Sequence, residues 1–337
     1  MRFVVMFATF LLGYAQTAHA GGGPFSAKAM RESFSTREVD RSLLLPKGWL
    51  ELSLGFDYKL GVGAWGADGS RQKWEDARWH YMTERATLRY GLGPRVELWA
   101  EIPVHQARLV NEPLGTDIKD WSMGDPRFGA KFNLISRDVP RTSFVLEFGY
   151  KGPAAKESPA NYIGGPNNVT GFVFTTGTPD LSVGLGAKQQ VGPVGFTGHV
   201  AYVHRFSGVV QYLVELENNQ FLGRIKPGDQ VKADLDVGVQ LGPVWLHTAG
   251  KVEWRDVTRI GTSSRGSSPN SNTDVVAESD GTAFDVSPGI VLNLSRGVDV
   301  SGYANIPLVG EDLQFFPIED LHPTRGPTFG GAVELRY

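Results

Sequence analysis

The chain has 337 residues, a net charge of −3, 42 glycines, 20 prolines and no cysteine. Without cysteine it holds neither disulfides nor thiolate metal sites, and the slightly acidic balance points to neither a nucleic-acid partner nor a polybasic membrane surface. No apolar run beyond the first twenty residues approaches eighteen, which excludes transmembrane helices and leaves a closed β-barrel as the way to span a bilayer.

At the start, Arg2 precedes an apolar run, Phe3 to Ala15, broken only by Thr9 and Gly13, and Ala18-His19-Ala20 supplies a small-x-small cleavage pattern. The run is too short to cross a bilayer, so residues 1–20 read as a cleaved signal peptide. No cysteine follows the cleavage site, which argues against a lipid anchor. Residues 21–47 are small and polar, with a candidate helical stretch near Ser26 to Ser33. They are expected to form an N-terminal periplasmic or plug segment.

From Gly48 to the end, residues 48–337, the period is two. Leu50, Leu52, Leu54, Phe56, Tyr58 and Leu60 alternate with Glu51, Ser53, Gly55, Asp57 and Lys59. Similar alternation recurs at Phe144 to Lys151, Val231 to Leu241 and Phe284 to Leu294. Twelve strands are predicted, at 48–61, 79–91, 95–108, 122–134, 142–152, 179–191, 194–207, 229–241, 244–256, 282–294, 298–308 and 327–337. They are longer than most soluble strands.

The connections alternate in length. Leu92-Gly93-Pro94, Gly192-Pro193, Gly242-Pro243 and Ser295-Arg296-Gly297 are short; the link through Asp138 and Pro140 is somewhat longer. The intervening loops are long and polar, above all 258–281. Short turns on one side and long loops on the other fit an all-β fold: a single closed antiparallel transmembrane barrel of about twelve strands, with periplasmic turns and extracellular loops.

Period alone does not say which face points inward. The polar face is dense in charge, with Arg85, Arg89, Glu97, Glu101, Lys131, Glu147, Lys232, Asp234, Lys251 and Glu253, which suits a polar lumen inside an apolar, lipid-facing wall. These ten residues are the expected lumen and constriction set. Turn lengths further predict four cross-strand pairs: Asp234 with Lys251, Lys232 with Glu253, Arg89 with Glu97 and Arg85 with Glu101.

Tyr90, Phe132, Phe196 and Tyr337 are the expected periplasmic aromatic girdle. Glu84 falls on the lipid face, which requires a bulge or a place near the rim. Trp99 and Trp245 fall on the lumen face and are expected to fill space beside the turns.

No catalytic constellation emerges. His204 and Ser207 fall on opposite faces of a regular strand, and Glu311, Asp312, Glu319, Asp320 and His322 have no diagnostic spacing. Asp234 and Asp236 share a strand face, but the nearby lysines favour ion pairing over a metal. No cofactor is expected.

Several segments together resemble one outer-membrane transporter family. They are Leu44-Leu45-Pro46-Lys47-Gly48, Leu88-Arg89-Tyr90-Gly91-Leu92 running into Val96-Glu97-Leu98, Gly124 to Phe132, Thr176 to Asp180 and Glu334-Leu335-Arg336-Tyr337. The family is the one named for the meta-pathway of phenol degradation. Its resemblance covers residues 41 to 337 and implies a passive outer-membrane transporter for small molecules, aromatic or otherwise hydrophobic compounds among them; it supplies no catalytic residues. The alternative is a non-transporting surface protein whose loops bind a partner. Either would sit among outer-membrane lipid, and the terminal strand ending in Tyr337 is the expected signal for the barrel-assembly machinery.

Overall fold

The computed structural model describes residues 35, 37–61, 63–65, 70–73, 77–111, 116–138, 141–154, 157–158, 177–214, 219–262, 274–275, 280–295, 297–310 and 324–337. The expected signal peptide, the candidate helix near Ser26 and the acidic loop 311–322 lie outside them. Twelve long strands form the wall: β1 (Leu50–Gly61), β2 (Ala77–Gly93), β3 (Val96–Asn111), β4 (Arg127–Asp138), β5 (Arg141–Lys151), β6 (Asp180–Val191), β7 (Val194–Arg205), β8 (Gln230–Leu241), β9 (Val244–Arg255), β10 (Gly281–Ser295), β11 (Val298–Gly310) and β12 (Thr328–Arg336). Each is antiparallel to the next, and β12 pairs with β1, so the sheet closes on itself.

Closure matters because every ladder group then has a partner within the wall. The tightest turns show how the chain reverses. Gly192 and Gly242 take φ of 61° and 59°, the left-handed conformation that a two-residue hairpin requires, and Pro193 and Pro243 follow them. The link between β4 and β5 is also only two residues, 139 and 140, shorter than the sequence suggested.

The wall is inverted relative to a soluble barrel. Leu185, Leu235 and Phe128 on the outer face are 53%, 57% and 52% exposed, whereas Glu97, Arg205 and Asp299 inside are 0%, 1% and 1% exposed. An outer belt of aliphatic and aromatic side chains around a charged interior is stable only if the belt meets hydrocarbon.

Toward the long loops the wall continues as shorter strands. Thr116–Met123 pairs with the outer part of β3, and a break at Gly124-Asp125-Pro126 separates it from β4. The predicted strand at 122–134 therefore ran two elements together. Gly208–Val214, Asn219–Lys226, Arg259–Thr262 and Asp274–Val275 form a second rim sheet, which Glu157–Ser158 joins in parallel.

Candidate functional site

The inward faces of the twelve strands surround the candidate site, and the ten expected residues fall at three heights. Arg85, Glu101, Asp234 and Lys251 each lie five to eight residues from the short turn of their strand, near mid-wall, whereas Lys131 stands directly opposite Glu97 and Glu147 opposite Lys131. Arg89 and Glu97 sit lower, beside the turn, and Lys232 and Glu253 sit higher. The structure thus brings Arg85, Glu101, Asp234 and Lys251 to mid-wall, with Arg89, Glu97, Lys131 and Glu147 toward the short turns and Lys232 and Glu253 toward the loops.

Two of the four expected pairs occur in the expected register: Lys232 opposite Glu253, with charged atoms 4.0 Å apart, and Asp234 opposite Lys251. Arg89 chelates Glu97 with Nε and Nη2 donating at 2.8 Å each, although Glu97 is in register with Gly91. Arg85 does not meet Glu101. A bulge between Gly91 and Gly93 and a turn at Pro94-Arg95 move the β2–β3 register by two residues, which keeps each side chain on its face but changes its partner. Arg85 instead pairs with Asp57, and Glu101 faces Arg127 at 3.8 Å.

The other lumen charges are similarly matched. Lys131 lies 3.7 Å from Glu147, and His199 bridges Glu147 (3.6 Å) and Asp234 (3.7 Å). Asp236 contacts the His247 Nδ1, so Asp234 and Asp236 each have an imidazole beside them. Lys251 stands 5.4 Å over the Tyr303 ring. Alternating signs leave no continuous band of one charge among the described residues.

Large rings on this face lie against glycine. A Cβ at Gly129 would approach Trp99 to 2.8 Å, and one at Gly238 would collide with Trp245. The absent side chains let the rings flatten on the wall instead of projecting across the lumen. Trp245 also lies beside Val39, since both approach the space above Gly195.

Val39 belongs to a segment the sequence left undecided. Residues 37–49 enter the barrel at the short-turn end, where hydrogen bonds and an ion pair tie them to strands β2, β3, β6, β8 and β11. Lys188 Nζ on β6 donates to the Glu38 carbonyl at 2.9 Å, Val39 N donates to Gln240 Oε1 on β8 at 3.3 Å, and Leu45 N donates to Glu97 Oε2 on β3 at 2.7 Å. Arg41 pairs with Asp299 on β11, and Arg89 Nη2 on β2 donates to the Leu43 carbonyl at 3.4 Å. Val39, Leu44, Leu45 and Trp49 are 1%, 5%, 4% and 3% exposed, the main apolar burial inside an otherwise polar tube. At Gly48 the chain turns into the wall, where Gly48 N donates to the Gly91 carbonyl at 2.7 Å.

The segment rests on an ion network at the β12–β1 closure. Arg89 and Arg336 both hold Glu51, and Arg41 and Arg336 both hold Asp299. Sequence reading missed Glu51, Arg336, Asp299 and Arg41 as a group, because residues up to 285 positions apart meet only through closure. A second missed group lies at the loop end: Lys151 Nζ is 2.6 Å from Asp180 and 3.7 Å from Asp125, and Arg205 Nε is 3.6 Å from Asp180. Their positions beside Pro126, Pro179 and Gly152-Pro153 mark the ends of strands.

The girdle candidates all lie at the short-turn end, with Phe132, Phe196 and Tyr337 37%, 41% and 47% exposed and Tyr90 part-covered. Phe132 packs edge-on to Phe148 at 6.0 Å. Glu84 faces outward between Phe56 and Val104, one residue from Arg85 and four below His80, so it lies within the apolar band, neither turned inward by a bulge nor placed at the rim. His204 also faces outward, with Nδ1 3.0 Å from Asp229 and its ring against Phe206.

No family model matches the chain, and no curated relative matches it. Among solved structures, the COG4313 outer membrane channel from Pseudomonas putida F1 superposes with a TM-score of 0.62 at 10% identity, covering 89% of this chain and 98% of that one. The P. putida toluene transporter TodX gives a TM-score of 0.39 at 9% identity over 86% and 90%. The first match shows the fold, a closed antiparallel β-barrel of the kind that the family resemblance implied.

Proposed function

We propose that the chain is a passive outer-membrane channel for small molecules, closed at its periplasmic mouth by residues 37–49. The observation that carries the proposal is the lumen: a charged interior wall, with rings flattened against glycine, whose main internal obstruction among the described residues is a short segment of the same chain. Solute enters among the long loops, crosses the belt of Arg85, Glu101, Asp234 and Lys251, and leaves beside Lys131, Glu147, Arg89 and Glu97 when the segment withdraws. The alternating charges favour small solutes of low net charge. The flattened faces of Trp99 and Trp245 suit the aromatic compounds that the family resemblance implies. No step of covalent chemistry is part of this reading, and no residue is assigned a catalytic role.

Outer-membrane lipid surrounds the apolar belt. The terminal strand presents Val333 and Tyr337 outward, 40% and 47% exposed, as the surface offered to the barrel-assembly machinery. The segment in the mouth also suits a non-transporting surface barrel, so the two readings need a transport measurement. Proteoliposomes holding the pure protein should swell in small neutral solutes, with rates falling steeply as solute size grows. Swelling no faster than that of empty liposomes, from correctly folded barrels with and without residues 21–47, would favour the surface-protein reading.

A further inference from the structure

The near-neutral net charge conceals a local excess of cations on the outer wall. Three basic side chains stand in one cross-strand row: His80 on β2, Arg108 on β3 and Lys119 on the rim strand Thr116–Met123, each in register with the next. Arg78 lies two residues further from the turn, opposite Val110, on the same outward face. Arg78, Arg108 and Lys119 are exposed. Asp117 holds the Arg108 guanidinium at 2.7 and 2.6 Å, and Glu84 lies four residues below His80, so among the described residues three permanent cations face two carboxylates on this part of the wall.

Height decides what meets the row. Tyr90, at the level of the periplasmic girdle, is ten residues from His80 along β2. Ten residues at about 3.3 Å each, tilted by about 40°, rise roughly 25 Å, the height of the apolar band in such barrels. The row therefore stands at the outer edge of the hydrocarbon, where headgroups begin. One step below it, Tyr58, Met82, Gln106 and Trp121 form the next row, with Trp121 69% exposed, and Tyr58 Oη is 2.6 Å from His80 Nδ1. Aromatic rings beneath cations at this level fit acyl chains below and phosphate above.

We propose that Arg108 and Lys119, flanked by His80 and Arg78, bind the phosphate groups of a phosphorylated outer-leaflet glycolipid. Neighbouring strands are about 4.8 Å apart, so two adjacent cations reach one phosphate. The inference rests on the membrane orientation proposed above and is independent of conduction.

The test is native mass spectrometry of the full-length barrel in detergent, with bis-phosphorylated lipid A, dephosphorylated lipid A or inorganic phosphate as probe. Wild-type protein should retain the bis-phosphorylated lipid at least tenfold more than the dephosphorylated form. The double variant Arg108→Ser/Lys119→Ser should lose that preference, and Arg95→Ser, at the opposite end of the barrel, should keep it. Heat-modifiable gel mobility checks that each variant is folded. Equal retention of both lipids, an unchanged preference in the double variant, or competition by inorganic phosphate at millimolar concentration would overturn the proposal. A barrel that binds the lipid yet fails to conduct would sink the channel reading alone.

Discussion

The backbone N–H of Leu45 donates to Glu97 Oε2 at 2.7 Å, and the same carboxylate is chelated by Arg89. One buried group thereby ties the segment in the mouth to the wall of the barrel. Glu97 is 0% exposed, so the acceptor is costly to leave unpaired, and withdrawal of the segment must be offset by water reaching it. This suits a closure that opens and reforms.

Charge balance in the mid-wall belt sets ion preference. Lys251 is exposed to the lumen between Asp234 and Asp285 in register. Lys251→Glu should turn a weakly selective pore toward cations, read as a shifted reversal potential in a potassium chloride gradient. No shift would place the conducting path elsewhere.

Pairs at different depths should differ in strength. Lys232 and Glu253 are 38% and 22% exposed at 4.0 Å, so a double-mutant cycle should give about 0.2–1 kcal/mol. Arg89 and Glu97 are 24% and 0% exposed and bidentate, and their coupling should exceed about 1.5 kcal/mol. Unfolding in lipid vesicles measures both, and equal couplings would contradict the burial argument.

A methyl group at Gly238 would collide with Trp245. Gly238→Ala should destabilise the barrel by about 1–3 kcal/mol through overpacking and should alter tryptophan emission. Trp245→Ala in the same background should relieve most of the loss. Additive losses would mean that the ring and the glycine do not depend on each other.

Asp229, in the break just before β8, accepts from Tyr202 Oη at 2.5 Å and from Arg205 N at 3.0 Å. Partial burial raises its carboxyl pKa, but these hydrogen bonds and His204 outweigh that and hold it below the usual 3.8. With a depressed folded value, its stabilisation is present above about pH 3.8 and is lost as pH falls through the lower folded value. Asp229→Asn should lower the thermal midpoint at pH 7, and the gap to wild type should close below that point. A gap that widens on acidification would contradict the sign.

Much of the barrel was legible in its residues, because alternation at Leu50 to Leu60 or Val231 to Leu241 reports a two-faced strand directly. The two-residue turn Gly242-Pro243 placed Lys232 against Glu253, since nothing intervenes between turn and pair. The same arithmetic failed at Leu92-Gly93-Pro94, where a bulge that leaves no mark in the hydrophobic pattern moved Arg85 onto Asp57. Residues 37–49 were opaque for another reason: their partners, Glu97, Gln240 and Asp299, lie on three strands brought together only when β12 meets β1. The outward row His80, Arg108 and Lys119 was hidden likewise, because three isolated basic residues become neighbours through register alone.

The most direct test is single-channel conductance in planar bilayers, comparing the chain with one lacking residues 21–47. The truncated barrel should show a steady conductance that the intact chain reaches only in brief openings. A folded truncated barrel with no conductance would contradict the proposal that this segment closes a channel.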